Sequence, residues 1–411
     1  ASRRLALNLS QGLRSRAGLS AAGAFRRGFA TPSTVGKTQT TTLKNGLTVS
    51  IITAGPIGPV THSPGAMLTR SDQVATEHSP WAQTSTVGMW IDAGSRAETN
   101  ETNGTAHFLE HLAFKVRHAR CHTDWDIRAL TLIEGTAKRS QQQLELEIEN
   151  MGGHLNAYTS VVCHKEVPGT PSDRSKRENT VYFAKAFNSD VPQCVDILSD
   201  ILQNSKLEES AIERERDVIL RESEEVEKQV EEVVFDHLHA TAFQHQPLGR
   251  TILGPRQNIR DITRTELVNY IKSNYTADRM VLVGAGGIPH EKLVELAEKH
   301  FSGLPSKGPE NHAYLLSKQK ADFIGSDVRV RDDTMGTANV AIAVEGVSWN
   351  SEDYFTALVT QAIVGNYDKA MGNAPHQGSK LSGFVHKHEL ANSFMSFSTS
   401  YSDTGYVPTV T

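Results

Sequence analysis

Two histidines and a glutamate lie within one short segment of the chain, His107-Phe108-Leu109-Glu110-His111. On a helix, residues four apart lie one turn apart on the same face, so the imidazoles of His107 and His111 can reach one metal ion. Zinc binds neutral imidazole readily, and a catalytic zinc site needs three protein ligands and an open position for water. Glu110 can act as general base toward that water. The pattern indicates a metal-dependent hydrolase; the alternative is a surface helix with two solvated histidines.

A third ligand has to come from another part of the chain, and one acidic segment offers candidates. Residues 207–232 include eleven acidic and four basic side chains, and the pattern predicts one long helix over 208–236. Such charges are typical of a solvated helix face, but the excess is also large enough to make a negative groove beside a metal. The candidate carboxylates are Glu213, Glu215, Glu222, Glu224 and Glu225.

The elements around these residues predict an α+β domain that is followed by a second, related one. Strands are predicted over 41–49, with an Asn-Gly turn, and over 84–93, 154–160 and 279–283; helices are predicted over 105–115 and 141–151. A cluster of Pro305, Gly308 and Pro309 then predicts a linker. Beyond it, a strand over 337–344 and a helix over 352–364 repeat the opening pattern without a second His-x-x-Glu-His. Only the first domain is therefore expected to bind metal.

Composition and charge narrow the class of protein. The chain has 411 residues, of which 38% are hydrophobic and 22% charged, as in globular proteins of two or more domains. No run approaches the roughly 18 apolar residues of a membrane span. Three cysteines without paired spacing favour a compartment without disulfides. The first 45 residues contain six arginines and no acidic residue, which predicts a mitochondrial presequence over 1–28; the alternative is a disordered basic tail.

Long blocks of the sequence resemble one known family. The blocks are GTAHFLEHLAFK at 104–115, HLNAYTS at 154–160, the segment 177–222 that ends in ILRE, and SFMSFSTSYSDTG at 393–405. They resemble the M16 (pitrilysin-type) metallopeptidases, whose H-x-x-E-H is the inverzincin signature, and in particular the beta subunits of the mitochondrial processing peptidase. The resemblance implies two LuxS/metallohydrolase-like α/β domains: a catalytic domain over 36–305, a linker over 306–319, and a truncated inactive domain over 320–405.

The same resemblance implies roles for individual residues. It makes His107, His111 and Glu222 the zinc ligands, Glu110 the general base, and Glu215 an acid that supports the ligands. It also implies substrate contacts. Glu232 and Asp236 would receive the arginine before the cleavage site, Phe114 would line an apolar pocket, and the strand of Asn156, Ala157 and Tyr158 would pair with the substrate backbone.

Several segments have no counterpart in that family: 49–73, 116–134, 161–176 and a tail over 406–411. The second and third lie between His111 and Glu222, and their 19 and 16 residues account for the long separation of those ligands. Each of the three inserts begins with Val and ends with a residue that has a codon ending in AG, as a translated intron would. Family-specific insertions are the alternative.

The resemblance implies a zinc metalloendopeptidase that removes targeting presequences from imported mitochondrial precursors. It also implies one Zn²⁺ per chain, a heterodimer with an alpha subunit, and a location in the mitochondrial matrix or on the inner membrane surface. Binding to nucleic acid is not expected. Two alternatives remain. The chain could be a core subunit of the cytochrome bc1 complex, alone or as a second role, or an inactive product of intron retention.

Overall fold

The structure is a computed structural model, and it describes residues 38–52, 81–113, 135–158, 177–310, 312–371 and 378–410. The predicted presequence, the inserts 116–134 and 161–176, most of the insert 49–73, and Phe114 lie outside the described residues. Within the described ranges, no helix combines the length and apolar character that crossing a membrane requires.

A six-stranded mixed sheet forms the centre of the first half of the chain, in the order β1-β2-β6-β3-β5-β4. Strand β3 pairs antiparallel with β5 and β6, whereas β2 runs parallel to β6. Its strands are β1 (Thr38–Thr42), β2 (Thr48–Ile52), β3 (Thr84–Ile91), β4 (His154–Tyr158), β5 (Thr180–Phe187) and β6 (Met280–Gly286). Strand β4 lies at one edge of this sheet, which matters for the site described below.

The first predicted strand is divided by its predicted turn. Strands β1 and β2 pair antiparallel on either side of the Asn45-Gly46 turn, where Gly46 has a φ of +96° that favours glycine. The structure extends β2 to Ile52, so the first residues of the insert 49–73 continue the strand, and Val49 lies opposite Leu282 of β6.

Helices cover the sheet and carry the apolar core. They are α1 (Thr105–Ala113), α2 (Gln141–Asn150), α3 (Val191–Asn204), α4 (Glu209–Glu227), α5 (Val230–Ala242), α6 (Arg256–Asp261), α7 (Arg264–Asn274) and α8 (His290–Phe301). Ser140 and Thr263 are the N-cap residues of α2 and α7, and each forms a capping box. These boxes satisfy backbone N–H groups that have no partner inside the helix. Helix α3 buries an apolar face against β3, β5 and α8.

The prediction of one long acidic helix over 208–236 is wrong, because the structure has two helices there. Helix α4 ends at Glu227 and α5 begins at Val230, with Gln229 in an extended conformation between them. No proline or glycine marks this break, so residue pattern alone did not reveal it. Glu222 and the predicted arginine-binding residues, Glu232 and Asp236, therefore lie on different helices.

The second half contains a smaller sheet, in the order β10-β11-β9-β8, with β7 paired to β11. Its elements, with the short helix that precedes them, are α9 (His312–Ser317), β7 (Ala341–Glu345), α10 (Tyr354–Val364), β8 (Asn366–Asp368), α11 (Lys380–His388), β9 (Ser393–Ser396), β10 (Thr399–Ser400) and β11 (Gly405–Val410). The predicted strand over 337–344 begins four residues later, where pairing with β11 begins. The described residues of the predicted foreign tail, 406–410, belong to β11. Whether that tail is foreign stays a prediction.

Two buried polar clusters join the halves. Arg96 donates to the carboxylates of Glu178 and Asp403 and to the carbonyl of Gln319. Nε2 of His239 on α5 accepts a hydrogen bond from one of two tyrosine hydroxyls. It lies 2.6 Å from the hydroxyl oxygen of Tyr401 and 2.8 Å from that of Tyr406. Burial drives the pKa of His239 well below its ordinary value, so the ring is neutral and can accept that bond.

Candidate metal centre

Helix α1 places the paired histidines of the sequence motif inside the protein. The side chain of His107 is fully buried and that of His111 is largely so, with ring centroids 4.5 Å apart. Phe108, Leu109 and Leu112 fill the opposite side of the helix and belong to the main core. The helix is therefore fixed by its apolar residues while the two imidazoles face one point.

Glu222 on α4 faces the same point from across the site. Its Oε2 lies 3.3 Å from Nε2 of His107 and 3.0 Å from Nε2 of His111, and one ligand atom from each residue lies within 4.8 Å of the others. Ligand atoms bound about 2.0–2.1 Å from a tetrahedral zinc ion lie roughly 3.3 Å apart. The two imidazole–carboxylate distances thus match those between ligands of a tetrahedral zinc ion.

The charges of the three side chains suit a cation once a proton leaves His111, whose pKa its hydrogen bonds to Glu215 and Glu222 raise to about 9 against the effect of burial. Burial favours the neutral acid of Glu222, but the facing imidazoles of His107 and His111 outweigh it and hold the pKa of that carboxyl well below its ordinary value. Burial lowers the pKa of His107, which favours the neutral ring. A neutral imidazole and an ionised carboxylate are the forms that bind a metal.

Glu215 and Glu110 surround the histidines. Oε2 of Glu215 lies 3.3 Å from Nδ1 of His111, the ring nitrogen that does not face Glu222, and Glu215 is buried. A carboxylate in this position fixes the orientation of a metal-binding imidazole. The carboxylate of Glu110 is also buried, and its Oε2 lies 3.8 Å from Nδ1 of His107. Glu110 therefore lies beside the metal centre rather than on the solvated face of α1.

The comparison with known proteins gives the family. The profile described as Insulinase (Peptidase family M16) matches residues 73–123 and 167–256, and that of the Peptidase M16 inactive domain matches residues 261–408. A mitochondrial-processing peptidase subunit beta from Neurospora crassa is 70% identical over 407 residues, which cover 98% of this chain and 73% of the relative. The chain belongs to the M16 metallopeptidases, among the beta subunits of the mitochondrial processing peptidase.

Two solved structures share the fold of this M16 chain at low identity. A protease from Helicobacter pylori gives a TM-score of 0.66 at 19% identity, covering 92% of this chain and 75% of the other. A chain of complex III2 from Candida albicans gives a TM-score of 0.63 at 22% identity, covering 90% of this chain and 71% of the other.

The predicted α+β architecture with M16-type N-terminal and C-terminal domains is confirmed. The chain is a mitochondrial metallopeptidase that uses a divalent metal ion.

The predicted substrate strand of this M16 chain lies at a sheet edge. Asn156, Ala157 and Tyr158 belong to β4, which pairs with β5 on one side. Within the described residues, no strand pairs with its other side. Helix α1 packs near β4, so this edge and the metal centre lie on the same part of the domain. An open edge can accept an extended peptide by main-chain hydrogen bonds.

One member of the predicted arginine-binding pair already binds an arginine within this chain. Glu232 and Asp236 lie one turn apart on α5, but Oδ1 of Asp236 accepts a hydrogen bond of 2.9 Å from the buried guanidinium of Arg177. Arg177 also donates to the carbonyl of Arg250. Asp236 therefore already has a cationic partner, and a substrate arginine would share it.

Two residues of this region, Arg177 and Glu98, were not indicated by any pattern in the sequence. Arg177 stands at the start of a recognised block, yet nothing in its spacing indicated a partner 59 positions later. Glu98 lies in the polar segment AETNETNG and is fully buried against the first turn of α1. The segment contains a second acid, Glu101, which is exposed, so neither composition nor spacing distinguishes the buried glutamate from the solvated one.

Proposed function

We propose that the chain is the catalytic beta subunit of a zinc metalloendopeptidase that removes N-terminal targeting presequences from precursor proteins imported into mitochondria. The observation that carries this proposal is the convergence of His107, His111 and Glu222 on one point. These three residues would hold one Zn²⁺, and Glu110 lies beside them. The close similarity to mitochondrial-processing peptidase beta subunits supports the choice of substrate.

The metal and the two nearby glutamates would have different roles in peptide hydrolysis. Bound zinc supplies a Lewis acid that polarises the scissile carbonyl and makes water easier to deprotonate. Glu110 takes a proton from the attacking water and passes it to the leaving amine. Glu215 accepts a hydrogen bond from Nδ1 of His111 and keeps Nε2 directed at the metal.

Presequences are cationic, and the site surroundings are suited to them. The excess of acidic residues on α4 and the start of α5 gives a negative wall beside the metal centre. The substrate backbone would extend along the free edge of β4, as a seventh strand of the sheet. Glu232 and Asp236 would bind the arginine before the cleavage site, with Phe114 contributing to the pocket after it.

A heterodimer in the mitochondrial matrix is part of the proposal. The chain carries the metal-binding residues, and an alpha subunit would supply the rest of the enclosure around the peptide. The name shared by the similar proteins, a peptidase subunit, supports such a partner. Association with the inner membrane surface is the alternative location.

A Glu110→Gln variant tests the proposed chemistry. The amide keeps the size of the side chain but cannot accept a proton, so we expect kcat for an arginine-containing presequence peptide to fall about 10²- to 10⁴-fold. Zinc content, measured by mass spectrometry on the purified heterodimer, should stay near one per chain. Glu213→Gln on the exposed face of α4 serves as the control and should cleave normally. Undiminished cleavage by Glu110→Gln would rule out this mechanism.

A role as a core subunit of the cytochrome bc1 complex stays a prediction. The similarity to complex III2 at 22% identity concerns the fold alone. Co-purification of the chain with respiratory complex III would support that role, and the peptidase assay would show whether it is held together with proteolysis.

A further inference from the structure

The carboxylate of Glu98 binds the start of the helix that carries the metal ligands. Its Oε1 accepts a hydrogen bond of 2.7 Å from the backbone N–H of Ala106, and its Oε2 accepts bonds of 2.9 Å from the N–H of Gly104 and 2.8 Å from Nδ2 of Asn103. Glu98 is only 1% exposed. Helix α1 begins at Thr105, so one buried carboxylate holds both the turn before the helix and its first turn.

This arrangement is favourable for α1 in two ways. The first N–H groups of a helix have no partner inside the helix, and Glu98 satisfies that of Ala106. When Glu98 is ionised, its negative charge at the helix N-terminus also interacts favourably with the helix dipole, which offsets part of the cost of burying that charge. Hydrogen bonds to an ionised acceptor are stronger than those between neutral groups. The position of Ala106, the residue before His107, is thus tied to a side chain outside the helix.

The turn that Glu98 holds is also fixed from its other side. Asn103 donates to the carbonyl of Thr251 through the same Nδ2. Gly254 has a φ of +77°, and a Cβ there would lie 2.2 Å from the carbonyl oxygen of Asn103. Backbone therefore packs directly on backbone at this point. The turn cannot shift toward Gly254, and Glu98 prevents it from moving away.

We propose that Glu98 is a positioning residue for the metal centre: by fixing the first turn of α1 it sets where His107 and His111 lie relative to Glu222. This inference rests on the proposed metal-binding role of those three residues. Helices α1 and α4 pack on each other, and their ligand atoms lie 3.0–3.3 Å apart. A small displacement of α1 would therefore change the geometry of the zinc site directly.

Cobalt binding tests the inference without using peptide cleavage. In Glu98→Gln the amide directs N–H groups at the donors of Gly104 or Ala106, so at least one bond is replaced by a contact between two donors. At pH 8 we expect the dissociation constant of Co²⁺ for the full chain to rise at least about tenfold, with a changed visible absorption spectrum. Glu101→Gln, three positions away at an exposed carboxylate, is the matched control and should retain the wild-type value and spectrum.

A second variant covers the case in which Glu98→Gln fails to fold. Asn103→Ala removes one of the three bonds to Glu98, and we expect it to bind Co²⁺ more weakly than the wild type. If every variant that folds has a lower melting temperature but binds Co²⁺ with the wild-type affinity and spectrum, Glu98 is only a structural residue and the inference is overturned. If the wild-type chain binds Co²⁺ but cleaves no presequence peptide in the heterodimer, the proposed function fails, and the Co²⁺ comparison still decides the role of Glu98.

Discussion

Oε2 of Glu222 lies 3.0 Å from Nε2 of His111, although the two residues stand 111 positions apart in the sequence. The carboxylate reaches the imidazoles because α4 packs across α1. This contact adds a carboxylate to the two histidines of the five-residue motif and completes the proposed set of three ligands. Most of the proposed chemistry depends on it.

The first prediction concerns Glu222 as a metal ligand. Replacing it with Gln removes the one anionic ligand, so we expect zinc affinity to fall at least about 100-fold and cleavage to be lost. Glu224→Gln, an exposed neighbour on the same helix, should bind zinc like the wild type. Metal content after gel filtration and competition with a chelator measure both. Equal zinc retention by the two variants would remove Glu222 from the ligand set.

A second prediction concerns Glu215, which faces Nδ1 of His111. Glu215→Gln should lower metal affinity and kcat/KM by about 10- to 100-fold, because the imidazole loses the carboxylate that orients it. The effect should be smaller than that of Glu222→Gln. Glu225→Gln, on the exposed side of α4, is the control. A loss as complete as that of a true ligand would mean that Glu215 itself binds the metal.

The unfolding free energy should depend on pH through the ionisation of Glu98. Burial raises the pKa of this carboxyl to about 7 despite its three N–H partners. A proton therefore binds Glu98 more tightly in the folded chain than in the unfolded chain, and the resulting stability is present below about pH 4.5 and lost as the pH rises through 7. Charged and titratable groups facing it are Arg250 and Tyr270. The contribution to the unfolding free energy that is lost is about 3 kcal/mol.

Urea unfolding at several pH values measures this effect. The unfolding free energy of the wild type minus that of Glu98→Gln should decrease between pH 4.5 and 7, because titrations shared by the two proteins cancel. A constant difference over this range would show that Glu98 keeps an ordinary pKa.

The ion pair of Arg177 and Asp236 predicts a coupling between substrate selection and stability. Asp236→Asn should lower the unfolding free energy by about 2 kcal/mol, because the buried guanidinium of Arg177 loses one charged hydrogen-bond partner. It should also reduce the preference for a peptide with arginine before the cleavage site over the alanine version. Glu231→Gln, exposed on the same helix, should change neither. Loss of stability with an unchanged arginine preference would assign Asp236 to Arg177 alone.

The predicted intron-derived segments can be tested by deletion. Removing 49–73 joins Thr48 to Val74, so a valine would again stand opposite Leu282 in β2. We expect a chain without 49–73, 116–134 and 161–176 to be more stable and more active with the alpha partner than the 411-residue chain. Equal activity of the two would contradict this, and a spliced transcript that retains the segments would make them genuine insertions.

Short-range patterns in the sequence predicted much of the fold. Alternating and helical apolar periodicity located β3, α1 and α2 to within a few residues, because each of them buries apolar residues in the core. Helix α10 was located as well, although none of its residues is buried. The break between α4 and α5 was missed. It has no local breaker residue and depends on how the two helices pack against different parts of the protein.

By itself, the sequence determined the chemistry that this protein could perform: the His-x-x-Glu-His spacing requires only one helix, and helix geometry follows from the backbone. Tertiary packing brings Glu222, the distant carboxylate that the resemblance implies as third ligand, to the two histidines. Only the tertiary structure assigned Asp236 to Arg177 and Glu98 to the first turn of α1. Both are buried charges whose partners are chosen by proximity in space, and proximity between residues on different elements leaves no periodic signal in the chain.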